Sequence, residues 1–250
     1  MIRFPIIKLF CLLLTTMAAG YTQTGEELLN DLLGHMNPES SRGIMRQTIH
    51  TLSGEKRVLT YESAADEKGK NSMMRYLSPA RVKGNALLMK NYSNDIWMYN
   101  NRTKRVRKLA SHAKKQKFEG SDFTYEDMGS GDTWRTDYAP VPLGIQSMDG
   151  IKCNVLELKS ENEANSYSKI LAFLRTEDQF PLKIEYYDNS GNLEKTLFLD
   201  NIEKIQGVST AMKMVMENRQ DNTSTIMEYE SVEYNVTFDK NFFSEQTLKR

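Results

Sequence analysis

Cysteine, histidine and net charge are all in short supply in this 250-residue chain. It has 2 cysteines, Cys11 and Cys153, and 3 histidines, His35, His50 and His112, while 33 basic side chains balance 33 acidic ones. Cys11 falls in an N-terminal stretch that reads as removable, and one remaining cysteine cannot form an intramolecular disulfide even in an oxidising compartment. The neighbours of Cys153 are Val155, Leu156 and Leu158, which point to a strand and to a buried, inert thiol. The histidines stand in no metal-binding spacing, and neither a nucleophile elbow nor a phosphate-binding glycine loop is present. Repeats, low-complexity tracts and interdomain linkers are missing as well. Neither an enzyme nor a cofactor is expected, and stability must come from one hydrophobic core, for which the length suffices.

Long apolar runs are also absent. Residues 1–8 carry Arg3 and Lys8 with no acid, residues 9–19 are apolar apart from Thr15 and Thr16, and Ala18, Ala19 and Gly20 close the stretch. This is the three-part pattern of a secretory signal peptide spanning 1–20, with cleavage after Gly20. The run falls short of the roughly 20 apolar residues that span a bilayer. Cys11 lacks the small residues that precede a lipidated cysteine. Removing the leader takes the formal charge from +0 to about −2, a balance that argues against a dedicated nucleic-acid binder.

What is present is one helix followed by many strands. Thr24 and Glu27 make a capping-box pattern, Leu28, Leu29, Leu32, Leu33 and Met36 recur at helical spacing, and Pro38 closes the helix. Such an apolar stripe needs a surface to cover, and only the following sheet offers one. From Arg42 onward, β-branched and aromatic runs alternate with turn signals, as in an antiparallel meander. Strands are expected at 44–52, 56–63, 71–77, 86–90, 95–99, 104–109, 152–159, 167–175, 182–187, 193–205, 210–218 and 225–236. Roughly a dozen strands is too many for a flat open sheet, so curling into a barrel or half-barrel is expected. Residues 110–142 show no strand character, and a stretch of that length is functional or holds its own short helix.

Five segments occur in one order: Tyr76-Leu77-Ser78-Pro79-Ala80, Lys83-Gly84-Asn85-Ala86-Leu87-Leu88, Asp95-Ile96-Trp97-Met98-Tyr99, Lys104-Arg105-Val106-Arg107-Lys108-Leu109, and Phe118-Glu119-Gly120-Ser121-Asp122-Phe123-Thr124-Tyr125-Glu126-Asp127-Met128. In these the chain resembles the outer-membrane lipoprotein-sorting proteins, relatives of the periplasmic lipoprotein carrier LolA. The resemblance covers nearly all of residues 21–250, including Phe242, Phe243 and Leu248, and implies a single LolA-like domain there. It implies a mainly β (α+β) fold, a half-open antiparallel β-barrel of about 11 strands wrapped over a few helices. It also implies an apolar cavity for lipid or lipoprotein acyl chains, a periplasmic location, a carrier or chaperone role, and a membrane exporter or outer-membrane acceptor as partner. The second functional reading is an accessory module of a resistance-nodulation-division type exporter.

A hairpin with Asn101 and Arg102 at its tip would place Trp97 opposite Val106 and Tyr99 opposite Lys104, grouping Trp97, Tyr99 and Val106 on one face. These three are candidates for a concave apolar wall, with Arg105, Arg107 and Lys108 as a basic rim facing a membrane surface or an acidic partner. The competing reading makes them ordinary core and solvated cations. No aromatic lies between Arg102 and Lys117, so nucleic acid is not the expected partner of this basic run. Ser121 to Gly129 reads as a short helix capped by Ser121, a lid whose removal together with Phe118 would impair binding more than folding. Phe118, Phe123 and Tyr125 are its candidate ligand contacts. Asp122, Glu126 and Asp127 are explained by capping better than by a metal. Met212, Met214 and Met216 alternate along one strand, which directs three thioethers to one side. A compliant apolar lining suits that pattern better than a copper site.

Overall fold

The computed structural model describes residues 23–129, 133–162 and 165–250. The expected signal peptide lies outside the described residues. Helix α1 (Gly25–Met36) begins where the capping box predicts. Thr24 Oγ1 accepts from the Glu27 amide at 3.2 Å, and Glu27 Oε2 accepts from the Thr24 amide at 2.8 Å. Leu28, Leu29, Leu32 and Leu33 are buried against strands of the sheet. Each fully buried leucine contributes roughly 1.5–3 kcal/mol of apolar burial. Gly25 sits so close to the Pro140 carbonyl that a side chain there would collide with backbone.

Thirteen antiparallel strands form one sheet, somewhat more than the count expected from the sequence. They are β1 (Ser40–His50), β2 (Lys56–Asp66), β3 (Asn71–Ser78), β4 (Ala86–Lys90), β5 (Asp95–Asn100), β6 (Arg105–Lys108), β7 (Tyr138–Met148), β8 (Ile151–Ser160), β9 (Lys169–Arg175), β10 (Pro181–Tyr187), β11 (Leu193–Ile205), β12 (Val208–Asn218) and β13 (Thr223–Tyr234). Two meanders, β1 to β6 and β7 to β13, are joined by pairing of β1 with β13, so β6 and β7 form opposite edges. The sheet does not close. The connection from β6 to β7 must therefore travel from one edge to the other, and it carries α2 (Tyr125–Gly129) and α3 (Thr133–Asp137) on the way. A last helix, α4 (Glu245–Leu248), ends the chain.

Strand β7 was not legible as a strand. It carries Pro140, Pro142 and Gly144, and proline is tolerated on an edge strand, where one row of amides has no partner. The register shift between Pro142 and Ile145 fits the same cause.

The hairpin β5–β6 pairs Trp97 with Lys108 and Tyr99 with Val106, two residues away from the expected register. Its turn spans four residues, and Lys104 takes a left-handed φ of 58° there instead of joining the strand. A two-residue slip keeps every side chain on its own face. The face itself is the other one. Leu87, Met89 and Ile96 enter the main core, whereas Trp97, Tyr99 and Val106 pack with Met73, Ala86 and Leu88 in a second cluster under Phe242, Phe243 and Leu248. The outer side of β3–β6 is thus covered by the C-terminal tail, and Trp97, Tyr99 and Val106 do not line the concave wall.

Candidate functional site: a methionine-lined cavity

A cavity of about 240 Å³ opens on the concave side of the sheet, between the C-terminal end of α1, strands β1, β2, β12 and β13, and the residues around α2. Six methionines border it: Met36, Met45, Met74, Met128, Met214 and Met227. Leu197, Leu199, Phe123 and Phe180 add apolar surface, and Ser41, Ser72, Ser209 and Thr210 add hydroxyls. Thioether side chains adapt to irregular shapes, so this lining tolerates ligands of varied outline. Burial holds the phenols of Tyr186 and Tyr229, also at the wall, well above their ordinary pKa, so both remain neutral hydroxyls.

Of the ligand-contact residues expected from sequence, the structure brings Phe123 and Met214 to this cavity. Phe118 is fully buried behind the wall, edge-on to Tyr61 at 6.4 Å and to Tyr125 at 5.6 Å. Tyr125 and Met216 are likewise core. Met212 leaves the stripe. It stands beside the pairs Asp200–Lys213 and Ile202–Ala211, where Asn201 has a left-handed φ of 51°, and it does not border the cavity, whereas Ala211 and Met214 do. Met36, Met45, Met74 and Met227 were missed. Met36 ends the apolar stripe of α1, and the inward alternation of Met45, Met74 and Met227 on β1, β3 and β13 was readable, but nothing marked that face as the concave one.

Arg105, Arg107 and Lys108 lie exposed on the edge strand β6. Lys108 pairs with Asp95 at 2.6 Å and stands 4.9 Å above the Trp97 ring. Charged side chains on an edge strand also oppose pairing with another sheet.

The segment between the two edges is held by buried polar bonds, not laid loosely over the mouth. Helix α2 starts at Tyr125 and is capped by Thr124, not Ser121: the Thr124 amide donates to Asp127 Oδ2 at 2.6 Å and Thr124 Oγ1 accepts from the Asp127 amide at 3.1 Å. Ser121 instead turns the chain, accepting from the Phe123 amide at 3.2 Å. Asp122 accepts from Thr223 at 2.5 Å and Thr225 at 2.7 Å. Asp127 accepts from Lys195 Nζ at 2.5 Å and from the Tyr167 hydroxyl at 2.8 Å, and the Lys195 and Asp127 side chains are only 1% and 3% exposed. With Phe118, Phe123 and Tyr125 all in the core, the expectation of a removable lid gives way to an internal brace. Among the described residues no group of three potential ligands could hold a metal.

One carboxyl in this segment titrates unusually. Burial raises Glu119 above the ordinary carboxylate range, partly offset by the positive charges of Arg57 and Arg81. The folded state then binds that proton more tightly than the unfolded chain, so stability declines as pH rises from the ordinary value through the raised one. Glu119→Gln is expected to remove that part of the decline, read as a flatter dependence of the urea midpoint as pH rises above the ordinary carboxylate range.

An open antiparallel barrel around helices and an apolar cavity is the fold of the LolA-like lipoprotein-sorting proteins, and solved structures place the chain there. A DUF1329 family protein from Desulfovibrio piger superposes with a TM-score of 0.81 at 24% identity, covering 90% of this chain and 97% of that one. An outer membrane lipoprotein-sorting protein domain from Vibrio parahaemolyticus gives 0.79 at 26% identity, with 90% and 96% covered. A LolA superfamily protein from Nitrosomonas europaea gives 0.75 at 21% identity, with 90% and 100% covered. No curated protein matches the chain. A family model described as "Uncharacterized protein" matches residues 68–250, most of the chain, and the chain belongs to that family.

Proposed function

We propose that the protein is a non-catalytic periplasmic carrier for the acyl chains of lipids or lipoproteins, working between a membrane donor and an outer-membrane acceptor. The observation that carries this reading is the methionine-lined cavity on the concave side of a LolA-like sheet. Phe123 and Met214 contact the chain within it, and Phe118, Tyr125 and Met216 support the wall from behind. At about 240 Å³ the resting cavity lies below the roughly 300–1,000 Å³ of ordinary small-molecule sites. Full occupancy by a long acyl tail therefore requires the methionines to repack or the end of α1 to shift. The signal-peptide pattern of residues 1–20 supports export, and the exposed Arg105, Arg107 and Lys108 suit an anionic membrane surface.

Native mass spectrometry of the purified protein before and after delipidation is the test. Bound lipid is expected beforehand, and a fluorescent fatty acyl probe should rebind afterwards. A protein that carries no lipid and binds no probe would overturn the carrier reading.

A second reading has its own observation. Val141, Leu143 and Ile145 on edge strand β7 and Ile151 at the start of β8 are exposed apolar side chains, with Ile145 at 62%. An exposed apolar patch of that kind suits a partner protein, held by side chains because Pro140 and Pro142 offer no amide on the open edge. It fits an accessory module of a membrane exporter, which would co-purify with the protein in membrane extracts.

A further inference from the structure

Gln47 is the most anomalous polar residue in the molecule. It lies in the middle of β1 with 0% exposure, and neither Oε1 nor Nε2 of its amide has a hydrogen-bond partner. Buried amides are nearly always paired, and one left unsatisfied needs a reason. Its place in the sheet supplies one. Across the strand boundaries Gln47 faces Met227 on β13 and Leu59 on β2, with Met45 and Ile49 two residues away along its own strand. Met45 and Met227 both line the cavity. The amide thus stands one methionine side chain behind the wall. Met227 also has a tie to a second buried polar group, since its sulfur accepts from the Tyr61 hydroxyl at 3.8 Å.

We infer that Gln47 is the polar recognition element of this cavity, and that it takes the neutral carbonyl linkage of an acyl ester or N-acyl amide. This rests on the carrier reading and narrows it. Either methionine can swing on its three rotatable bonds to expose the amide. Nε2 then donates to the ligand carbonyl, and Oε1 accepts from an adjacent hydroxyl or amide N–H. A free fatty acid fits less well. The buried cation on this side, Lys195, is already paired with Asp127, and an unpaired carboxylate in an apolar interior is strongly disfavoured. The site therefore selects acylated head groups over free acids.

The test compares two probes of equal chain length, a monoacylglycerol ester and the corresponding alkylglycerol ether, which lacks only the carbonyl. The wild-type protein is expected to favour the ester by about tenfold, the ratio that one added hydrogen bond of roughly 1.4 kcal/mol gives. Gln47→Leu should abolish the preference while binding the ether as before, and Gln47→Met, close in shape, repeats the measurement should the leucine pack badly. Equal binding of ester and ether by the wild type, or a preference that survives both substitutions, overturns the inference and leaves the carrier reading intact. If the wild type binds neither probe, the carrier reading fails and the inference with it.

Discussion

Lys195→Met is expected to lower stability by about 3–5 kcal/mol, the loss seen when one partner of a buried ion pair is removed. For a chain of this size that corresponds to a fall in Tm of roughly 6–20 °C, at about 2–4 °C per kcal/mol. The reason lies in what remains. Asp127, 3% exposed, would keep the Tyr167 hydroxyl and the Thr124 amide as donors but lose its compensating cation. The Asp122 carbonyl would lose its donor from Lys195, and the Tyr167 and Tyr186 rings would lose the ammonium that stands 5.1 and 5.4 Å from their centroids. Strand β11 and helix α2 would then be joined across the Asp127 charge without its ion pair to Lys195. The double variant Asp127→Asn with Lys195→Met removes that charge while preserving shape and a capping acceptor, so it should recover at least half of the loss. Thermal melts of the three proteins decide the matter. A single variant within about 0.5 kcal/mol of wild type, the usual range for a surface change, would mean that the pair does not brace the segment.

The same segment shows what sequence pattern can and cannot reveal. The capping box at Thr24 and the leucine stripe fix α1 because both signals are local. Most strands were readable for the same reason, and the expected 86–90 and 193–205 coincide with β4 and β11. Alternation also sorted residues correctly into faces: Trp97, Tyr99 and Val106 do share one. It carries no information on which face is concave. At β3–β5 both faces are apolar because the tail covers the outer one, so composition gave no means to choose. Met212 shares its parity with Met214 yet does not border the cavity, and the left-handed Asn201 on the neighbouring strand has no apolar signature that would mark the irregularity. Gln47 was overlooked for a different reason. Alternation with Met45 and Ile49 turns it inward, but an amide on an apolar face does not show in the sequence whether it finds a hydrogen-bond partner.

Leu248→Asp is expected to release the C-terminal tail without unfolding the barrel, an effect on local population larger than that on global stability. Leu248 is fully buried against the outer face of β4 and β5, with Phe242 and Phe243 half-buried beside it. Burial of Leu248 contributes roughly 1.5–3 kcal/mol and the two phenylalanines less than their full share. Against this stands the cost of ordering the tail backbone, about 1–2 kcal/mol per residue. Arg75 adds hydrogen bonds to the carbonyls of Thr247 at 2.8 Å and Leu248 at 3.3 Å, and Phe238, Phe242 and Phe243 pack on one another with centroids 4.7–5.1 Å apart. These contacts are few for a segment of this length, so the docked tail belongs to the low-stability end of the molecule. A carboxylate forced into that apolar notch would be disfavoured by several kcal/mol, and undocking is the easier response. Trp97 lies under the tail whereas Trp134 belongs to the main core. In a Trp134→Phe background, emission should therefore shift to the red on Leu248→Asp while the cooperative melt is retained. Unchanged emission would mean that the tail tolerates the charge in place, and a melt lost altogether would mean that the tail is integral to the barrel. The expected outcome instead describes a sheet whose outer apolar surface is guarded by a detachable strap, while its inner surface keeps the cavity.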